Sequence, residues 1–216
     1  MKYKAVLFDL DGTLLNTLQD IADSVNKGLH SLGFPQHEVE DYKALVGEGR
    51  EVLALRALPE NHQDTVIVEK LLAHINEEYA KHWADNTRPY DGIPELLDGL
   101  MANRVKMAVL SNKADDLTKM QISTILTKWH FAVVVGAQPS LPKKPDPTAA
   151  LQIAKQLDIS PSDFLYLGDS GIDMKTANRA SMYPVGALWG FRSADELLAD
   201  GAGTLIKHPP ELLSLL

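Results

Sequence analysis

Lys4-Ala5-Val6-Leu7-Phe8-Asp9-Leu10-Asp11-Gly12-Thr13 is the stretch that decides the fold. Ala5 to Phe8 is a short unbroken apolar run, the pattern of a strand covered on both faces. It stops abruptly at two aspartates and a glycine. Similar runs recur at Val105–Leu110, Phe131–Val135, Phe164–Leu167 and Tyr183–Leu188, with a weaker one at Thr204–Ile206. Helical spacing fills the intervals. Leu96, Leu97, Leu100 and Met101 mark one helix, Leu117, Met120 and Ile125 a second, and Ala150, Leu151, Ala154 and Leu157 a third. Pro94 and Pro147 sit near helix starts, where the missing N–H would have been unpaired anyway. Strands alternating with helices predict an α/β fold, a doubly wound, Rossmann-like parallel sheet with helices on both faces.

One interval breaks this rhythm. Residues 17–87 hold no convincing strand. Leu18, Ile21, Ala22, Val25, Leu29 and Leu32 trace a helical stripe that Gly33 ends. Further helices are expected over Glu38–Val46 and Glu51–Leu58, and a fourth through Ile67, Leu71, Ile75 and Tyr79. The reading is a Rossmann-like core made of residues 1–16 and 88–216, with an all-helical cap inserted at 17–87. The insertion holds 6 Lys/Arg and 13 Asp/Glu, so it carries −7 of the chain's net −8.

That balance narrows the function classes. A nucleic-acid binder needs a basic face, and the chain offers no such cluster. No run of 18 apolar residues predicts a membrane span, and the N-terminus lacks the pattern of a signal peptide. Cysteine is absent from the 216 residues, which excludes disulfides, thiolate metal sites and cysteine nucleophiles. A cytoplasmic protein is expected.

Chemistry concentrates at the strand ends. Ligands of open parallel sheets bind beyond the carboxyl ends of the strands. Asp9 and Asp11, two apart in an extended segment, point the same way and offer hard oxygen donors suited to Mg²⁺. Ser111-Asn112 follows the second long run. It reads either as a helix cap or as a hydroxyl donor to a phosphoryl oxygen. Lys143 and Lys144 lie in a proline-bounded loop that alone reads as solvated surface. Gly168-Asp169-Ser170-Gly171-Ile172-Asp173 ends another strand in carboxylates. Asp173 alone could simply favour the first turn of a helix. Each feature has an ordinary reading; their convergence on one sheet edge does not.

In order and separation, Asp9-Leu10-Asp11-Gly12-Thr13, Leu110-Ser111-Asn112, Lys144-Pro145 and Gly168-Asp169-x-x-x-Asp173 resemble the four motifs of the haloacid dehalogenase superfamily. The helical insertion resembles that superfamily's C1-type cap. Within it, Leu45-Val46-Gly47-Glu48-Gly49-Arg50 is similar to phosphoglycolate phosphatases. Ser181 stands where the family often has glycine.

The resemblance implies a Mg²⁺-dependent hydrolase of small phosphate monoesters that works through an aspartyl-phosphate. Asp9 would be the nucleophile and Asp11 the general acid and base. Mg²⁺ would be held by Asp9, Asp11 through its carbonyl, Asp169 and Asp173. Ser111, Asn112, Lys144 and Thr13 would serve the phosphate, Thr13 by fixing its loop. Glu48, Gly49 and Arg50 would set substrate specificity from the cap. The partner implied is a small phosphorylated metabolite, not nucleic acid or membrane, bound by a monomer or homodimer. Pyrophosphatase or nucleotidase action and phosphosugar mutation stay open as alternatives within the superfamily. A true dehalogenase lacks the second aspartate, and a receiver-type signalling domain needs neither that residue nor a cap.

Overall fold

The computed structural model describes residues 2–216. Its elements begin with strands β1 (Ala5–Phe8) and β2 (Leu15–Asn16) and helices α1 (Leu18–Ser31), α2 (Tyr42–Leu45), α3 (Arg50–Ala57) and α4 (Thr65–His82). Next come β3 (Arg88–Pro89), α5 (Ile93–Ala102), β4 (Lys106–Ala114), α6 (Asp115–Ile125), β5 (Val133–Ala137) and α7 (Thr148–Leu157). The chain closes with β6 (Phe164–Gly168), α8 (Gly171–Arg179), β7 (Tyr183–Ala187), α9 (Ala194–Ala199) and β8 (Thr204–Ile206), then a short 3₁₀ stretch over Pro209–Leu215. Two compact units result. One runs through Leu15 and resumes over Pro89–Leu216; the other is Asn16–Arg88.

The first unit is built on a six-stranded sheet in the order β5-β4-β1-β6-β7-β8, every pair parallel. β1 is central because all four of its residues are apolar and all are buried. Val6 and Phe8 join one core with Leu96 and Leu97 of α5 and Ile122 of α6. Ala5 and Leu7 join the other with Ala150 and Ile153 of α7 and Ala177 of α8. The sequence order reverses at β1, with β4 and β5 to one side and β6, β7 and β8 to the other. That reversal opens the crevice where doubly wound sheets place ligands.

β4 departs from expectation. It does not stop at Leu110 but runs on through Ser111, Asn112 and Lys113 to Ala114, with its pairing to β5 slipping between Leu110 and Ala114. Three polar residues are thereby buried inside a strand. Ser111 is not a helix cap, since the next helix begins at Asp115.

The second unit is helical. α1 packs along α4, and the approach is close: a Cβ on Gly28 would lie 2.9 Å from Leu71 Cδ1. Asp20 of α1 is 2 % exposed and would be expensive to bury unpaired. Its carboxylate accepts from Asn86 N at 2.9 and 3.1 Å, Asn86 Nδ2 at 2.9 Å, Thr87 N at 2.8 Å and Thr87 Oγ1 at 2.6 Å. The start of the helical segment is thus fastened to its end. Just outside this clamp, β2 and β3 pair as a two-stranded ladder.

Ser181 sits just after α8 with φ +57°, where an L side chain costs about 1–2 kcal/mol. It is exposed, so nothing in the core demands its side chain. Ser181→Gly should stabilise the protein by about 1 kcal/mol after the unfolded-state entropy of glycine is counted. In a chain this long that raises the melting temperature by about 2–4 °C. A thermal melt checks it, and a fall in melting temperature would refute it.

Candidate active site

Asp9 is the first residue beyond β1, its N–H donating to Leu167 O at 2.9 Å. Asp169 follows β6, and Asp173 lies in the first turn of α8. All three are buried, and each brings a carboxylate oxygen within 4.8 Å of the others. Lys144, 6 % exposed, reaches into the group: its Nζ donates to Asp9 Oδ1 and to Asp173 Oδ1, both at 2.7 Å. Neighbouring Lys143 is exposed.

Lys144 is held where it must be. Its N–H donates to Asn112 Oδ1 at 2.8 Å, and Asn112 Nδ2 donates to Lys144 O at 3.1 Å. Asn112 therefore spends its amide on the lysine backbone and acts as a frame. Asp173 divides its two oxygens. Oδ2 accepts from Ser170 Oγ at 2.6 Å in a capping box, while Oδ1 faces Lys144 and accepts from Tyr166 Oη at 3.4 Å. Helix cap and site residue are both true of it. Ser111 Oγ accepts from Lys113 N–H at 3.2 Å, which leaves its own proton for an acceptor.

The Thr13 hydroxyl is turned toward a carboxylate of the cluster. It donates to Asp169 Oδ1 at 3.1 Å, and Phe191 N–H donates to Asp169 Oδ2 at 2.8 Å. Gly12 makes this closure possible. It has φ +87°, and a Cβ there would lie 2.3 Å from Asp169 Oδ2. Asp11 stands apart from the three clustered carboxylates. Its Oδ1 accepts from Lys113 Nζ at 2.7 Å.

The electrostatics follow from burial. Three carboxylates share one ammonium. Desolvation, then the charge of Asp173, pushes Asp9 well above the usual carboxylate range, against the pull of Lys144. The same two causes raise Asp169 to about 7, against the hydrogen bonds from Phe191 and Thr13. Burial alone would lower the Lys144 ammonium, but Asp173 and Asp9 outweigh it and hold the lysine well above its ordinary value. Tyr166 is pushed up, chiefly by burial. The site is short of positive charge and offers only hard oxygen donors. That donor set fits a divalent ion such as Mg²⁺.

In the helical unit, Gly49 has φ +97° and caps α3, which begins at Arg50. Glu48 is not a bare negative charge: Arg56 Nη2 pairs with it. Arg50 donates to the neutral amide oxygen of Asn76 and has no carboxylate partner among the described residues.

Three contributors escape sequence reasoning: Lys113, Tyr166, and the Trp189-Gly190-Phe191 loop, where Trp189 Nε1 donates to Thr13 O at 3.0 Å. A glycine between two aromatics directly after a strand run was the available signal for the loop. No helix among the described residues is long and apolar enough to cross a membrane.

The sequence profile of the family described as Haloacid dehalogenase-like hydrolase matches residues 6–187. A phosphoglycolate phosphatase of Aquifex aeolicus is 31 % identical over 217 residues, covering 99 % of this chain and 96 % of that protein. Phosphoglycolate phosphatase 1 of Pseudomonas aeruginosa is 31 % identical over 214 residues, covering 97 % and 78 %. A crystal structure from Lactobacillus delbrueckii subsp. bulgaricus, provisionally named a phosphoglycolate phosphatase, superposes with a TM-score of 0.94 at 29 % identity. It covers 100 % of this chain and 98 % of its own.

Proposed function

This chain belongs to the haloacid dehalogenase-like hydrolases and is a phosphatase, and from that premise we propose that it hydrolyses small phosphate monoesters by covalent phosphorylation of Asp9. The observation that carries the reading is the buried meeting of Asp9, Asp169, Asp173 and Lys144 at the carboxyl ends of the central strands.

An Asp9 carboxylate oxygen attacks phosphorus, and the bond to the ester oxygen breaks. The leaving alkoxide takes a proton from Asp11. Asp11, now ionised, accepts a proton from the water that attacks phospho-Asp9, releasing phosphate and restoring the nucleophile. Lys144 and Ser111 meet the equatorial phosphoryl oxygens, where transition-state charge is spread. Thr13 and Asn112 act behind them, one by fixing Asp169 and the other by fixing Lys144. Asp9, Asp169, Asp173 and the Asp11 carbonyl would hold Mg²⁺, which when bound supplies charge neutralisation and Lewis-acid polarisation of the phosphoryl group.

For substrate, phosphoglycolate is the proposed choice, because Arg50 has no carboxylate partner among the described residues and keeps its charge for an anionic group of the substrate. The helical unit is the proposed cap. Phosphate release from phosphoglycolate and from p-nitrophenyl phosphate tests both levels. We expect turnover of both in Mg²⁺ and of neither in EDTA. Arg50→Ala should lower kcat/KM for phosphoglycolate at least about tenfold, or roughly 1.4 kcal/mol, while sparing p-nitrophenyl phosphate, whose leaving group carries no carboxylate. Full activity in chelator would refute the metal assignment. Equal losses on both esters would make Arg50 a support of the fold, and isomer formation without phosphate release would favour a mutase.

A further inference from the structure

Lys113 lies at the irregular end of β4 with its side chain 6 % exposed, and its Nζ meets Asp11 Oδ1, whose side chain is 14 % exposed, at 2.7 Å. The two residues are 102 apart in sequence. Burying such a pair is a poor way to gain stability, since well-packed apolar residues of similar size do as well or better. The pair therefore asks for another explanation.

The local construction supplies it. The Lys113 backbone is held at both polar atoms: its N–H donates to Ser111 Oγ at 3.2 Å, and its carbonyl accepts from Thr118 Oγ1 at 3.2 Å. The Asp11 backbone is equally fixed, bridging to Leu15 while Gly12 N–H donates to Leu15 O at 2.9 Å. With both backbones fixed, the buried Lys113 side chain and its contact are what set the Asp11 side-chain torsions. Among the described residues the Asp11 carboxylate has one hydrogen-bond partner, and it is Lys113.

We propose that Lys113 is the positioning residue for Asp11, clamping Oδ1 so that Oδ2 is the oxygen that exchanges protons with the leaving group and with water. The inference rests on the acid–base role given to Asp11 above. It assigns Lys113 no contact with phosphate, which Lys144 and Ser111 already serve. A carboxylate misplaced by about 1 Å can cost 10²-fold in rate, so the clamp acts on kcat and not on substrate affinity.

The test is a double-mutant cycle on phosphoglycolate in Mg²⁺, with melting temperatures recorded for every variant. Lys113→Met should lower kcat about 30- to 100-fold with KM within about twofold of wild type. Asp11→Asn should lower kcat further. Asp11→Asn/Lys113→Met should fall no lower than Asp11→Asn, because a clamp has nothing to act on once its carboxylate is gone. The double variant leaves neither charge buried alone, so it should fold even if Lys113→Met does not. In that event Lys113→Gln, which keeps a donor, is read in place of Lys113→Met and should retain more of kcat than Asp11→Asn does. Wild-type kcat in Lys113→Met, multiplicative losses in the double variant, or a rise in KM at constant kcat would each overturn the inference. Wild-type activity in Asp11→Asn would overturn the acid–base reading itself, a result distinct from all of these.

Discussion

Asp9→Asn should lower phosphate release by at least about four orders of magnitude, the scale seen when a nucleophile is removed from an otherwise intact site. Asparagine has the same shape and keeps an oxygen for the Lys144 ammonium, which lies 2.7 Å from Asp9 Oδ1 in the native site. What it loses is the anionic oxygen that forms the bond to phosphorus. The fold should not suffer. Asp9 is destabilised by burial and by the charge of Asp173, so removing one of three crowded carboxylates relieves repulsion, and the melting temperature should hold or rise. Two measurements decide. Mass spectrometry of acid-quenched wild-type protein should find phosphate on Asp9 and none on the variant. Turnover within about tenfold of wild type, roughly 1.4 kcal/mol of barrier, would sink the assignment.

Lys144→Ala should be the next most damaging change, and Lys143→Ala nearly silent. Lys144 is the one ammonium among three buried carboxylates, donating to two of them at 2.7 Å. Its loss removes a transition-state contact in a water-poor site, a change worth about 10²–10³ in kcat. It also leaves Asp9 and Asp173 facing each other without compensation. Breaking a buried pair in this way costs about 3–5 kcal/mol, so the melting temperature should fall as well. Lys143 is exposed, and surface charges of that kind contribute at most about 1 kcal/mol. Steady-state kinetics and a thermal melt on both variants check this. If the two phenotypes were exchanged, the lysine of the motif would be Lys143 and the site would be drawn one residue out of register.

The sheet was legible because its evidence is local. Four consecutive apolar residues at Ala5–Phe8 can be satisfied only by cover on both sides, and the structure buries all four. The carboxylates were legible because polar groups directly after such strands have one place to go. Lys113 was not, for the opposite reason. In a polar stretch it reads as solvated surface, and its burial is imposed by an aspartate 102 residues away. Tyr166 escaped because an aromatic inside an apolar run reads as core, which it is, while its hydroxyl also reaches Asp173. The continuation of β4 through Ser111, Asn112 and Lys113 contradicts the ordinary pattern of a strand. Those residues form a strand because the site around them satisfies their polar atoms. In the helical segment, Glu48 reads as a bare charge beside two glycines, because its partner Arg56 lies a helix away in α3.

The Asp20 clamp bears on how such a chain could have been assembled. Asp20 binds Asn86 and Thr87, and β2 pairs with β3 immediately outside, so the chain leaves the sheet unit and returns to it a strand's width away, about 4.8 Å. Seen from the sheet, a large helical module closes like a tight hairpin. The entropy of closing a loop grows only with the logarithm of its length, and this module fastens its own ends, so even that penalty falls on the module and not on its host. The length of the helical segment is therefore of little consequence to the sheet unit that holds Asp9, Lys144, Asp169 and Asp173.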